Sequence, residues 1–299
     1  MQKTAPAVPR ENRSHGDAAF PIASYHYTAK PGEPVIDCHW HEEAEFVVVL
    51  EGAMLLQIGT TCYPLRKGEA AFVHGGDIHA GHPYGNDGCS FWAVVFDMGM
   101  LASRPGDRLP LLYLAPLLES RRSLPGTYTQ ADPCESGVLQ LLRELRADLD
   151  RRGPGVELAV KARLYMILSE IAAARRWIDR PDAAGLESRQ LEQLKTVLSY
   201  IEAHYQDKIY LRHLADLAHM GESQFCRFFK KLVRKTPVEY INSFRIRKAA
   251  ELLELGSRKL LDISLEVGFE NPSYFIKRFR QEMGCTPAEY RKTRQQPEG

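Results

Sequence analysis

The C-terminal third of the chain repeats itself, and this constrains its fold more than any other feature. The run Ser223-Gln224-Phe225-Cys226-Arg227-Phe228-Phe229-Lys230 aligns without gaps on Ser273-Tyr274-Phe275-Ile276-Lys277-Arg278-Phe279-Arg280 at an offset of 50 residues. At the same offset Thr236-Pro237-Val238-Glu239-Tyr240 aligns on Thr286-Pro287-Ala288-Glu289-Tyr290. One supersecondary unit is therefore built twice. Each Thr-Pro-x-Glu element reads as a helix start, with Thr as the N-cap, Pro in the first turn and Glu closing a capping box. A shorter helix is expected before each Phe-rich one. In the first copy it spans Leu211–Met220, with Leu211, Leu214, Ala215 and Ala218 inward; in the second it spans Leu261–Val267 and is followed by Gly268. Helix, tight Gly-containing turn and helix make a helix-turn-helix unit. Asn271 and Pro272 read as N-cap and first residue of the second Phe-rich helix. A long helix, Glu239–Leu255, would end at Gly256 and join the two units.

The charge follows the same division. Residues 190–299 carry 19 Lys and Arg against 14 Asp and Glu, whereas residues 1–189 carry 20 against 24. Within 223–294 the balance is 16 against 8. A basic segment on an otherwise acidic chain points to a polyanionic partner for that segment. With the Phe side chains inward, Ser223, Gln224, Cys226, Arg227, Ser273 and Lys277 face outward near the helix starts, where a recognition helix meets base edges.

The 299 residues suggest two domains with a connecting segment. Residues 1–19 read as a flexible tail. From about 20 to 100, within a sensor domain placed at 20–130, the pattern is β: Phe46–Leu50, Met54–Ile58, Ala70–Val73 and Phe91–Phe96 alternate with Gly-containing turns. Such a series reads as a sandwich or barrel. The period then becomes helical at Val138, Leu141, Leu142, Leu145 and Leu149, and again at Leu158, Ala162, Tyr165, Leu168 and Ala172, so 131–180 is expected to be a helical hairpin. Residues 181–190 read as the linker and 191–299 as the repeat domain. No apolar run is long enough for a membrane helix, and the N-terminus has no apolar signal core, so the chain reads as cytoplasmic. The six cysteines contain no CxxC pair, which argues against a zinc ribbon.

One cluster in the β region carries chemistry. His39, His41 and Glu45 are spaced to share a strand face, and His79 follows in a later Gly-flanked segment. His-x-His-x-x-x-Glu, six residues and Gly52, then Gly68 to His79, resembles the cupin barrel, a double-stranded β-helix. His74 and Pro83 depart from that family's second motif. In metal-binding cupins three His and one Glu hold a divalent ion, so the resemblance implies His39, His41, Glu45 and His79 as metal ligands if a metal is bound. The same groups could instead hydrogen-bond the hydroxyls of an organic effector such as a sugar, or form a polar core. All three readings stay open at this point, and no cofactor is certain.

A second resemblance covers about 100 residues. Arg245-Ile246-Arg247-Lys248-Ala249-Ala250-Glu251-Leu252-Leu253, Asp262-Ile263-Ser264-Leu265-Glu266-Val267-Gly268-Phe269, Ser273-Tyr274-Phe275 and Gly284-Cys285-Thr286-Pro287-Ala288-Glu289-Tyr290-Arg291 are similar to the signature of the AraC/XylS transcription regulators. Gly221, Ser264 and Val233-Arg234 depart from it. The resemblance implies an α+β multidomain chain: a cupin-like sensor with a helical hairpin, then an all-α domain with two helix-turn-helix units. It also implies a non-enzymatic, sequence-specific DNA-binding regulator, more often an activator, that meets promoter DNA, an effector, a second copy through the hairpin and, as an activator, RNA polymerase. Mapped onto this chain, base contacts fall on Ser223, Gln224, Cys226, Arg227, Asn271, Ser273 and Lys277. Lys230, Lys231 and Arg280 would meet phosphates. Trp92 lies in a stretch resembling the family's sensors and is expected to line the effector site with the four-residue cluster. The rivals are a metal-sensing regulator and a cupin metalloenzyme fused to a DNA-binding module.

Overall fold

Alternation of apolar and polar residues in the first hundred positions becomes two facing β-sheets. The computed structural model describes residues 15–17, 19–31, 35–102, 108–151, 153–180, 186–254 and 258–295. The strands are β1 (Ile22–Ala29), β2 (Ile36–His39), β3 (Ala44–Glu51), β4 (Ala53–Ile58), β5 (Thr61–Arg66), β6 (Ala70–Val73), β7 (His79–Pro83) and β8 (Cys89–Phe96). Helical turns at Met98–Leu101 and Pro110–Leu114, α1 (Ala115–Leu118), β9 (Arg122–Ser123) and β10 (Thr127–Tyr128) follow. One sheet has the order β1-β8-β3-β6-β10 and the other β2-β7-β4-β5. Val47, Val49, Val73, Phe91 and Ala93 from the first meet Ile36, Met54, Leu56 and Leu65 from the second in one buried core. Each such apolar side chain contributes about 1.5–3 kcal/mol on burial.

The alternate residues of the five-stranded sheet form its other face, and that face is buried too. Phe46, Val48, Phe72, Trp92, Val94 and Phe96 pack under α2 (Pro133–Asp150) and α3 (Val156–Ala173). The expected hairpin is present, but it has a sheet to cover. Its inward positions are Val138, Leu141, Leu142 and Leu145 on α2, with Val160, Leu164, Ile167 and Ile171 on α3. Leu158, expected on the inward face, is 76% exposed. A short strand, β11 (Ile178–Asp179), then pairs antiparallel with β9.

The chain divides into two compact units between Arg189 and Gln190. Of the expected linker 181–190, residues 181–185 lie outside the described residues, while 186–190 already belong to helix α4 (Leu186–His204). The apolar period begins at Leu191, and the helix it supports propagates back over residues 186–190, most of them polar. Most of the expected tail, 1–14 and 18, also lies outside the described residues, but His15 at its end is packed to 3% exposure.

Among the described residues the regular elements of the second unit are helices, with α5 (Leu211–Leu217), α6 (Glu222–Val233), α7 (Pro237–Glu254), α8 (Leu260–Glu266), α9 (Pro272–Met283) and α10 (Pro287–Gln295) following α4. The repeat is reproduced in three dimensions. Phe225–Phe229 and Phe229–Tyr240 ring centroids lie 5.6 and 5.5 Å apart, and Phe275–Phe279 and Phe279–Tyr290 lie 5.8 and 5.5 Å apart. Both capping boxes form, with Thr236 and Thr286 N–H donating to Glu239 and Glu289 at 2.8 Å and each Glu N–H donating back to the Thr hydroxyl. These bonds hold both carboxyls below the usual glutamate range. The stabilisation is therefore complete above the ordinary glutamate pKa and lost as pH falls through the lowered one.

The two turns differ from the expected Gly-containing pattern. In the second unit Gly268 takes the left-handed position (φ +88), but in the first His219 does so (φ +53) and Gly221 serves as the N-cap. At the helix ends Gly284 (φ +73) has its counterpart in Arg234 (φ +62). Arg234 accepts a conformation that its Cβ disfavours. Arg234→Gly is expected to raise the stability of this unit by about 0.5–1 kcal/mol, read as a higher midpoint at unchanged slope in urea unfolding. Ser264, another departure, is fully buried and donates its hydroxyl to the Leu261 carbonyl at 2.8 Å. No helix among the described residues is long and apolar enough to cross a membrane.

Candidate functional site

His39, His41, Glu45 and His79 meet at one point. Their ligand atoms all lie within 4.8 Å of one another, and all four side chains are buried. The route differs from simple strand alternation. β2 ends at His39, β3 begins at Ala44, and the chain turns a corner at residues 41–43. A register shift between Ile36 and His39 lets both face inward despite their odd spacing. His39 is the direct cross-strand partner of His79, with ring centroids 4.1 Å apart. Glu45 projects from β3 on the same face as Val47 and Val49.

The hydrogen bonds behind the rings determine what their front atoms can do. Nδ1 of His39, His41 and His79 lies 2.8, 2.9 and 2.9 Å from the backbone oxygens of Asp37, Glu43 and Asp77. A carbonyl only accepts, so each Nδ1 is the N–H, and Nε2 of a neutral ring is a lone pair. Those lone pairs face inward. Nε2 of His41 and of His79 lies 3.3 and 3.0 Å from the same Glu45 carboxylate oxygen, and His79 Nε2 makes no hydrogen bond to it. Lone pairs aimed around a carboxylate oxygen need protons or a cation between them. Three protons are not available: burial first, then the His79 and His41 rings, push the His39 ring well below its ordinary value, so it is neutral. Burial alone would raise the Glu45 carboxyl; with no cation in place, protons on the His41 and His79 rings would donate to it, outweigh burial and hold it well below the usual carboxylate range. One carboxylate and three imidazoles with carbonyl-fixed tautomers are a donor set that fits a divalent first-row ion.

Trp92 is not part of this site. It lies in β8 on the face opposite Phe91 and Ala93, under the helices, and its indole N–H donates to the Ser24 hydroxyl at 2.6 Å. The alternation of side chains along β8 dictates this; family likeness of the surrounding stretch carries no facing information. Two residues that the sequence did not single out lie closer. The His15 ring centroid is 5.5 Å from that of His41, and His15 Nδ1 is 2.9 Å from the Tyr25 hydroxyl. His15 sits in a polar stretch without periodicity, so nothing in the sequence marked it.

In the second unit the expected contact residues divide by exposure. Ser223, Gln224, Arg227, Lys230 and Lys231 are exposed on α6 and Cys226 is half-buried. Asn271, Ser273, Lys277 and Arg280 are exposed on or at the start of α9. Asn271 also caps α9, its side-chain oxygen accepting the Tyr274 N–H at 3.0 Å, which leaves its amide N–H groups for any other partner. Tyr274 and Ile276, which the sequence reading left out, are exposed on the same helix at 44% and 42%.

Two families match, one on each unit. The AraC-like ligand binding domain covers residues 21–168, and a helix-turn-helix domain covers residues 214–293. The chain belongs to the AraC family of transcription regulators. The likeness extends along nearly the full length of relatives. The HTH-type transcriptional regulator YdeC of Bacillus subtilis is 25% identical over 285 residues, 95% of this chain and 96% of its own. The HTH-type transcriptional activator RhaS of Escherichia coli is 25% identical over 283 residues, 94% of this chain and 97% of its own. Among solved structures, ToxT from Vibrio cholerae matches at 14% identity and a TM-score of 0.46, covering 91% of this chain and 98% of that one. The chain pairs a ligand-binding domain with a DNA-binding domain and is a regulator, not an enzyme.

Proposed function

We propose that this regulator controls transcription in response to a divalent cation held by His39, His41, Glu45 and His79. The supporting observation is the set of three carbonyl-bound imidazoles and one buried carboxylate whose ligand atoms all lie within 4.8 Å of one another. A cation there would supply a positive centre for the four ligands and a point of attachment for oxygen atoms of a further small molecule. Arg227 and Lys277 read base edges, Ser223, Gln224, Cys226, Asn271 and Ser273 add contacts, and Lys230, Lys231 and Arg280 hold phosphates. The protein acts in the cytoplasm, as an activator that recruits RNA polymerase. It works as a homodimer through the outer face of α3, where Leu158 and Met166 are exposed.

A second reading, an organic effector such as a sugar, draws on the aromatic side chains packed against the same inter-sheet core. Tyr27 stacks on Phe91 with centroids 5.0 Å apart, and Tyr25 reaches His15. In either reading the effector works only by binding two arrangements of the protein with different affinity.

The test is the metal content of untagged protein purified without chelator, beside a His41→Ala/Glu45→Ala double variant. Near-stoichiometric metal in the wild type and its loss in the variant is the expected result. Metal-dependent binding to duplexes selected from a random-sequence library then follows. Protein without metal that refuses added Mn(II), Ni(II) and Zn(II) would overturn the cation reading. A thermal shift with a carbohydrate panel would then decide for the organic effector.

A further inference from the structure

The loop between β6 and β7 carries more than a ligand. We propose that Asp77 and Arg180 are positioning residues for His79, and that they latch the chain leaving the β-rich unit to the state of the four-residue centre. The inference rests on that centre binding a cation, as proposed above.

The connection is continuous and short. The Asp77 carbonyl accepts the His79 Nδ1–H at 2.9 Å. The Asp77 carboxylate accepts both terminal nitrogens of Arg180, at 2.9 and 2.7 Å. Both side chains are partly shielded, and a two-pronged guanidinium–carboxylate pair fixes orientation as well as distance. Arg180 is the last described residue before 181–185, beyond which α4 begins the run into the DNA-binding unit.

The loop has little slack. Gly76 N–H donates to the His41 carbonyl at 2.7 Å, and Asp77 N–H donates to the His74 carbonyl at 2.9 Å. A Cβ on Gly75 would lie 2.1 Å from the Glu42 carbonyl oxygen, so the loop is seated directly on the corner that carries His41. The imidazole of His74 binds the Leu117 carbonyl at 3.0 Å. A shift of the His79 ring on cation binding therefore passes to Asp77 instead of being absorbed in the loop.

The exit segment, in contrast, is held weakly without the latch. β11 is two residues long, and both are exposed. Apart from its pairing with β9, it is tied by the Arg180 N–H to the Arg121 carbonyl at 3.0 Å and by an exposed Arg122–Asp179 pair, which adds little. Such a segment opens locally at low cost. Behind it the chain is held again at Trp177, which packs on the core, and at Arg176, which pairs with Asp132 and Glu135, so release of Arg180 frees residues 178–180. Tether length sets how two linked modules search for their sites.

Hydrogen exchange of the full-length protein tests this at the amides of Asp179 and Arg180, with and without Mn(II), Ni(II) or Zn(II). In the wild type the bound ion is expected to slow exchange there by about 5–150-fold. In Asp77→Asn, which keeps the backbone carbonyl but loses the charge, the effect should shrink to less than about twofold. Since coupling is reciprocal, Asp77→Asn and Arg180→Gln should bind the ion at unchanged stoichiometry but about 10–100-fold more weakly. Arg180→Lys, which loses the fork, should fall between. Stoichiometric ion binding with equal protection in wild type and Asp77→Asn would overturn the latch and leave the cation reading standing. Should the wild type bind no ion, the cation reading fails and His79→Ala without metal decides the latch. Faster exchange at Asp179 and Arg180 supports it, and unchanged exchange sinks it.

Discussion

Phe279→Ala is expected to unfold the second half of the DNA-binding unit near ambient temperature and to abolish operator binding. Phe279 is fully buried in the cluster of Ile246, Ala250, Leu253, Ile263, Val267 and Phe275, with Tyr290 edge-on at 5.5 Å. Truncating such a ring costs about 3–5 kcal/mol in lost transfer energy and residual cavity. A small domain has roughly 5–15 kcal/mol in total, so between about a fifth and the whole of the margin goes. Phe229 occupies the equivalent place in the first half, against Phe225 and Tyr240, and Phe229→Ala should cost about the same. Calorimetry of the full chain checks both. The transition of the helical unit should fall by more than about 10 °C, while that of the β-rich unit stays where it is. A fall of both transitions together would mean that the two units unfold as one and would contradict the independence of their cores.

Arg227→Ala and Lys277→Ala should each relax preference at one or two base pairs, and at different ones. Both side chains are exposed, one turn into α6 and α9 respectively. A cation on a guanine edge gives about 1–3 kcal/mol of discrimination, or about 5–150-fold at that position. Lys231→Ala, at the far end of α6, should weaken all sites by a similar factor and lower the salt slope by about one. The measurement is affinity across a base-substituted series of one selected duplex, at two salt concentrations. Two units on one chain enter major-groove faces about one helical turn apart, so the two relaxed positions should be separated by roughly 10 base pairs. Uniform loss in all three variants would remove Arg227 and Lys277 from the reading positions.

How legible the chain was depended on whether a feature is local. The Thr-Pro-x-Glu caps and the Phe spacing are local devices, and α6, α7, α9 and α10 lie within a residue or two of where those devices place them. The turn residues were less legible. His219 holds a left-handed conformation that the sequence pattern assigns to glycine, because tertiary packing of the unit outweighs the local cost. Of the four ligand-type residues, His39, His41 and Glu45 were read from spacing and His79 from the resemblance to the cupin barrel; the spacing argument assumed a continuous strand, whereas the chain in fact turns between His39 and Ala44. Trp92 shows the limit from the other side. Its aromatic bulk and its neighbourhood suggested a pocket, but facing depends on register, and Trp92 pairs with His26 and Val48 on the covered side of the sheet.

By itself, then, the sequence determined the two-fold helical repeat, its caps, its basic surface and the identity of four chemically able side chains. These rest on interactions within a few residues and on a periodicity that a short window contains. Only the tertiary structure decided which face of each strand meets the hairpin, that His15 and Tyr25 come up to the cluster, and that each imidazole gives its Nδ1 to a backbone carbonyl and turns its other nitrogen inward. It alone joined Asp77 to Arg180 across 103 positions of chain. Contacts of that kind depend on where a carbonyl or a carboxylate lies after folding, and no local pattern of side chains encodes that position.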